Sequence, residues 1–356
     1  MRVLVTGNLG YLGSVMTPFL AKHGHEVCGL DTGYYRDCLL GEPLAPCVSR
    51  QITKDIRQAE VNDLTGVEAV VHLAALSNDP TGELNPAVTE DINTVGSLRL
   101  AEAAIRAGVG RFVFASSCSI YGHGGESALT EEASFNPLTA YARSKVDTEA
   151  NLSRLASPEF SPVFLRNGTA YGLSPRVRFD LAVNNLTGWG FTTGQVRLLS
   201  DGRAWRPMVH AEDICRAVAA VLEAPRDHIH NQAFNIGVES ENHQIRDIAA
   251  MVAEVVPDCV VTYADGASAD SRTYNVSFAK ARRLLPEFVP QWTVRKGIEH
   301  LYTALKHLSV TQQAFESRLY TRLKQLRYLM DERSVDESLY WRKQLTHPPA
   351  RSGRRE

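Results

Sequence analysis

The chain has 356 residues, a formal charge of −2, 44% hydrophobic and 22% charged residues. That composition excludes a disordered, collagen-like or coiled-coil protein, and near-neutral charge argues against one built around nucleic acid. No apolar run reaches the roughly 18 residues that span a bilayer, and Met1 to Val5 lead straight into Thr6-Gly7 without a leader, so a cytoplasmic protein is expected. In chain order, Val3-Leu4-Val5 predicts a buried strand and residues 11–23 a helix. Strands follow at 26–30, 69–73 and 111–115, with a long helical pattern over about 86–107. A helix over about 140–156 and a strand at 162–165 complete an alternation that implies βαβ units and a parallel sheet covered on both faces.

Beyond Arg166 the pattern loosens. Helices are expected over about 180–190, 211–223, 243–255 and 293–307, and short strands at 197–200 and 233–236. The chain is read as residues 1–170 with a returning segment at about 208–237, a smaller mixed α/β region at 171–307, and a helical extension at 308–356. From Thr311 onward the extension carries 10 Lys+Arg against 6 Asp+Glu, mixed rather than blocked, with Leu319, Leu323, Leu326, Leu329 and Trp341 at amphipathic spacing. It reads as a solvated helical appendage; covering the substrate region and extending a subunit contact both stay open. The six cysteines, at 28, 38, 47, 118, 215 and 259, form no C-x-x-C pair and sit beside no histidine at zinc-ligand spacing, so free thiols and no metal are expected.

Thr6-Gly7-Asn8-Leu9-Gly10-Tyr11-Leu12-Gly13 lies between the first strand and the first helix. Glycine permits the positive φ of a tight turn and lets backbone N–H groups approach a pyrophosphate, which the helix N-terminus also favours. A merely structural turn is the bland alternative. Asp31 ends the second strand about 20 residues further on, where a carboxylate accepts both adenosine ribose hydroxyls and repels a 2′-phosphate. NAD is therefore expected over NADP. Asp55 and Ile56 would flank the adenine, and Leu73-Ala74-Ala75 would let the coenzyme lie against the backbone. The candidate cofactor residues are thus Gly7, Gly10, Tyr11, Leu12, Asp31, Asp55, Ile56, Leu73, Ala74 and Ala75, together with Tyr141 and Lys145.

Tyr141 and Lys145 stand four apart and share one helix face. An ammonium beside a phenol is expected to lower its pKa from about 10 and make it a base. The stretch Ala115-Ser116-Ser117-Cys118-Ser119-Ile120-Tyr121-Gly122 places hydroxyls at the end of a strand next to the coenzyme edge.

With these residues in place, the sequence resembles the extended short-chain dehydrogenase/reductase family, in its nucleotide-sugar epimerase/dehydratase branch. The marks are TGNLGYLG at 6–13, SSCSIYG at 116–122, YARSK at 141–145 and RPMVHAED at 206–213, and the resemblance covers about residues 1–307. It implies a Rossmann-type doubly wound α/β fold with NAD, and a nucleotide diphosphate sugar held by the smaller region. It also implies Tyr141 as base, Lys145 as its electrostatic partner and ribose ligand, and Ser117 as the hydroxyl that orients the sugar oxygen. The 4,6-dehydratases of this branch carry Asp-Glu directly after the Ser/Thr position, where this chain has Cys118-Ser119. The expected activity is therefore epimerisation at C4 through a transient 4-keto sugar. A dehydratase or a 4-ketosugar reductase is the alternative, and a non-catalytic NAD-binding protein a more distant one. Cys118 is a candidate substrate contact, and an acid/base role for it stays open beside a buried spacer. Arg206 and Arg272 match the family's diphosphate-binding arginines, with Arg178 and Asn185 as further contacts. Thr169 and Pro207 depart from the common pattern. The helices at 86–107 and 140–156 correspond to the family's dimerisation pair, so a homodimer is expected, with no nucleic acid and no membrane as partner.

Overall fold

The computed structural model describes residues 1–41, 47–124, 127–270 and 272–342; the end of the expected extension, 343–356, lies outside the described residues. Val3, Leu4 and Val5 have no exposed surface, as a central strand buried on both faces requires, and they form β1 (Arg2–Thr6). The first helix, α1 (Gly13–Lys22), starts two residues later than expected. Residues 7–12 are consumed by a turn in which Gly7 takes a φ of +70° and the Gly10 N–H donates to the Gly7 carbonyl at 2.9 Å. β2 (Glu26–Asp31), β3 (Arg50–Thr53) and β4 (Ala69–His72) follow.

The long helical pattern at 86–107 divides into a short turn at Pro86–Glu90, a π-helical turn at Asp91–Val95, and α2 (Gly96–Arg106). The wider turn aims the buried Asn93 amide at two partners. Its Oδ1 accepts from the Leu76 N–H at 2.8 Å, and its Nδ2 donates to the Leu76 carbonyl at 3.2 Å and to the Ser144 hydroxyl at 3.0 Å. Single π turns of this kind recur near functional sites. β5 (Arg111–Ser117), α3 (Ala140–Arg154) and β6 (Ser161–Asn167) complete the first region. The chain then gives β7 (Thr169–Tyr171), α4 (Ala182–Thr193), β8 (Gln195–Ser200), β9 (Trp205–His210), α5 (Ala211–Glu223) and β10 (Gln232–Ile236). β11 (Asn242–Gln244), α6 (Ile245–Val255), β12 (Val260–Ser268), α7 (Val294–His307) and α8 (Arg322–Asp331) finish it.

Seven parallel strands make the large sheet, in the order β10-β6-β5-β4-β1-β2-β3. Both faces are covered. Met16 and Leu20 of α1 pack with Ile214, Val218 and Val221 of α5 on one face; Leu100, Ala101 and Ala104 of α2 pack with Leu152 of α3 on the other. Each fully buried leucine of this kind contributes about 1.5–3 kcal/mol. The order is that of a Rossmann-type doubly wound sheet. The chain leaves β1 toward β2 and β3, then crosses to β4, and ligands bind in the crevice outside the strand ends at such a reversal. Above that crevice sits a second layer, with β7, β9 and β11 in a three-stranded sheet and β8 paired to β12, over a core from α4, α6 and α7. The extension folds back on the first region, where Leu326 and Leu329 join the same core as α2. Among the described residues no helix is long and apolar enough to cross a membrane.

Candidate active site

One cavity of about 1270 Å³ opens along the strand ends and runs into the second layer. Its floor is the glycine turn. A Cβ on Gly7 would come within 2.9 Å of the Ala74 backbone nitrogen, and one on Gly13 would strike the Gly7 carbonyl, so turn, strand and helix meet backbone to backbone. Asp31 stands beside it. Its Oδ2 accepts from the Leu9 N–H at 3.0 Å and its Oδ1 from the Gly33 N–H at 2.7 Å. Burial raises its pKa and the two N–H groups oppose that. Gly10, Tyr11, Leu12, Leu73, Ala74, Ala75, Asp55 and Ile56 also line the cavity. The Asp55 carboxylate is taken up by Arg57, which binds it from both the Nε (3.0 Å) and Nη2 (2.7 Å) positions.

Tyr141, one residue into α3, faces the end of β5. Its phenol lies near enough to the Ser117 hydroxyl for that group to lower its pKa, whereas the neighbouring Ser116 hydroxyl donates to Glu149. Lys145 is buried, its Nζ donating to the Ala115 carbonyl at 2.7 Å and lying 5.6 Å from the centre of the Tyr141 ring. The expected lowering of the phenol by this ammonium is not what the fold does. Burial pushes Tyr141 up to about 12, against the pull of the Ser117 hydroxyl, and pushes Lys145 down to about 7, against the pull of Glu149. Desolvation disfavours both charged forms at once and is the largest cause of each shift.

The arginines lie at the other end. Arg206 Nη2 donates to Asp270 Oδ2 at 2.9 Å. Arg272 forks onto the same carboxylate through Nε (3.1 Å) and Nη2 (3.1 Å), and its Nη1 donates to Asp79 Oδ2 at 2.7 Å. Arg178 is buried nearer the centre, with Nε on Asp180 Oδ1 at 2.9 Å and Nη1 on the Ser77 hydroxyl at 3.2 Å. Asn185 spends its Nδ2 on the Phe179 carbonyl at 2.7 Å and still lines the cavity.

The family model described as NAD dependent epimerase/dehydratase family matches residues 3–237. The chain belongs to that family. Among curated relatives, the UDP-glucose 4-epimerase of Corynebacterium glutamicum is 29% identical over 273 residues, 72% of this chain and 80% of that protein. The UDP-glucose 4-epimerase of Bacillus subtilis is 27% identical over 332 residues, 85% of this chain and 94% of that one. Among solved structures, MoeE5 in complex with UDP-glucuronic acid and NAD superposes with a TM-score of 0.75 at 26% identity, over 87% of this chain and all of that one.

As an NAD dependent epimerase/dehydratase family member, the protein takes NAD as its coenzyme, and the cavity fits it. The glycine turn leaves backbone N–H groups bare at the start of α1, and Asp31 closes the end of β2. The expectation that Cys118 touches substrate is corrected. Its side chain is 1% exposed, turns away from the cavity, and donates to the Arg166 carbonyl at 3.1 Å, and burial raises its pKa well above the thiol range. Ser117 caps the short turn at Cys118–Tyr121 by accepting from the Ser119 N–H, which places residues 117 and 119, but not 118, on the cavity wall. Cys118→Ser is expected to keep kcat within about threefold and to cost about 1 kcal/mol of stability, as swapping a well-packed buried thiol for a hydroxyl does; steady-state kinetics and urea unfolding check it.

Sequence reasoning missed Asp79, Asp180, Asp270 and Arg322, all on the wall. Asp270 stood two positions from Arg272 and could have been found as its partner. The others meet their partners only through the fold. His210 and Asp213 stand at the entry of α5. His210 caps α5 by accepting from the Glu212 N–H, and Asp213 accepts from the Gln291 and Trp292 N–H groups at 2.9 and 3.1 Å.

Proposed function

We propose that this protein inverts C4 of a nucleotide diphosphate sugar, with Tyr141 as the base and NAD held throughout turnover. The observation that carries the reading is that Ser117, Tyr141 and Lys145 line the same cavity, whose floor is the glycine turn, with the Lys145 ammonium 5.6 Å from the centre of the Tyr141 ring. In this reading Ser117 orients the sugar O4 toward the phenol, Tyr141 takes the O4 proton and later returns it, and Lys145 turns its ammonium to phenolate and ribose. Bound NAD supplies the hydride acceptor and donor and, through its charged ring, the positive potential that burial denies the phenolate. Arg206 and Arg272, held in place by Asp270, bind the substrate diphosphate, and Arg178 and Asn185 line the sugar's path. Residues 1–170 with 208–237 then hold the coenzyme and 171–307 the nucleotide sugar.

The relatives named UDP-glucose 4-epimerase support this choice. So do Cys118 and Ser119, since elimination of water needs an acid and a base directly after Ser117. Incubation with UDP-, dTDP-, GDP-, CDP- and ADP-sugars in deuterated water, followed by NMR, tests it. Inverted C4 with no carbon-bound deuterium and no net NADH is the expected result; deuterium at C5 would assign a dehydratase instead. The same reading makes the active species a homodimer through the helices at 86–107 and 140–156, on which Val95, Ile105 and Ala150 lie exposed.

A further inference from the structure

The C-terminal extension packs Phe315 and Tyr320 against the second region and then reaches the coenzyme end. Gln325 Nε2 donates to the Tyr34 carbonyl at 3.1 Å, the Tyr34 hydroxyl donates to the Leu339 carbonyl, and Trp341 Nε1 donates to the Thr32 carbonyl at 2.7 Å. Arg57 Nη1 donates to the Ser338 carbonyl at 2.9 Å, and its guanidinium lies 3.6 Å from the centre of the Tyr340 ring. Thr32, Tyr34 and Tyr35, which follow Asp31, all line the cavity. The extension is therefore the outer support of the cavity's adenosine side.

Arg322, the first residue of α8, is the one charged member of the extension among the described residues that lines that cavity. It is 3% exposed. Its Nη2 donates to the Arg176 carbonyl at 2.9 Å, and its guanidinium stacks 4.2 Å from the centre of the Tyr35 ring. Arg176 in turn donates from Nη1 to the Ser14 hydroxyl at 3.1 Å, in the first turn of α1. Arg322 is thus joined through Arg176 to the first turn of α1, whose N-terminus favours an anion. Its Nη1 is buried and meets no acceptor among the described residues. The neighbouring carboxylate, Asp180, is already taken by Arg178 (2.9 and 3.2 Å) and by Asn78 Nδ2 (2.8 Å). A buried guanidinium with a spare N–H is costly unless an anion completes it.

We propose that Arg322 is a ligand of the coenzyme's pyrophosphate, so that the C-terminal extension forms one wall of the NAD site and holds the coenzyme in place. A diphosphate supplies both the acceptor for Nη1 and the negative charge that Asp180 no longer has to give. The coenzyme is chosen over the substrate because Arg322 stacks on Tyr35 and lies within electrostatic reach of Asp31, whereas Arg206 and Arg272 gather around Asp270. The proposal rests on NAD being the coenzyme and is independent of which sugar is turned over.

The test is equilibrium binding to NAD-stripped protein by calorimetry, with NAD and with UDP as separate ligands. Arg322→Met is expected to weaken NAD at least about tenfold and to leave UDP within about twofold, in line with loss of a charge-assisted hydrogen bond. Arg322→Lys, which keeps the charge without the planar fork, is expected to fall between Met and wild type. Leu326→Ala loosens the packing of the extension away from the cavity and is expected to cost less NAD affinity than Arg322→Met. NAD affinity within twofold of wild type in the Met variant, a loss that falls on UDP instead, or equal losses in the Leu326 and Arg322 variants would each overturn the proposal. If circular dichroism shows the Met variant unfolded, the Lys variant decides. A threefold or greater loss confined to NAD supports the assignment, and wild-type affinity removes it.

Discussion

Tyr141→Phe is expected to lower kcat by about 10²–10⁴-fold, the range lost when a positioned acid–base group is removed, and to leave NAD binding near wild type. Only the phenol oxygen is deleted; the ring keeps its place on α3. Steady-state kinetics beside NAD titration measures the split, and a variant that turns over at the wild-type rate would mean another base. The pH response follows from the same burial. The free phenol, pushed up to about 12, gains its phenolate fraction as pH rises, so kcat/KM of the wild type is expected to climb from neutral toward alkaline pH, and the Phe variant to lose that climb. Lys145 acts on stability. Its folded pKa of about 7 lies below its unfolded value, so the unfolded chain binds the extra proton between about 7 and 10.5. The coenzyme-free protein is therefore expected to gain stability as pH rises through that window.

Glu149→Gln is expected to cost about 3–5 kcal/mol, the range for breaking one side of a buried ion pair. Glu149 and Arg166 are both about 5% exposed, and Arg166 reaches the carboxylate from Nε (3.1 Å) and Nη2 (2.8 Å). The rest of that guanidinium is fixed by the Glu131 carbonyl at 2.8 Å and the Tyr121 hydroxyl at 3.2 Å, so after the substitution its charge stays buried without a counterion. The network also touches the chemistry. Ser116 donates to Glu149 next to Ser117, and Glu149 is the one group that raises the pKa of Lys145. The variant is expected to unfold at lower urea concentration and to show Lys145 losing its proton at still lower pH. Urea titration and a pH–rate profile read the two effects separately. Unchanged urea midpoints would show that Arg166 finds its balance elsewhere.

Much of the site could be read along the chain because its signals are local. The helix at Ala211–Glu223 was legible to the residue, since its buried side chains (Ile214, Cys215, Val218, Leu222) follow one face behind a capping residue. The glycine turn with Asp31, and the convergence of Ser117 with Tyr141, were legible for the same reason: each is a short pattern tied to a strand end. What failed was set by distance or by polarity. β3, β7 and β11 are three or four residues long with few apolar side chains, and β12 is mostly exposed, so none carries a two-residue period strong enough to see. Lys145 was rightly placed beside the phenol but its effect was misjudged, because spacing says nothing about how much water the fold removes. Cys118 stands between two wall residues in the sequence; the four-residue turn at Cys118–Tyr121 is enough to point it inward. Arg322 looked like one more charge on a solvated helix, and only the packing of Leu326 and Leu329 brings it inside.

The support given to the loop after Asp31 by Trp341 and Leu339 bridges more than 300 positions of sequence. A ribosome makes this loop more than 300 residues before its outer brace. The nascent protein therefore passes through a stage in which the sheet can be assembled while the adenosine side stands open.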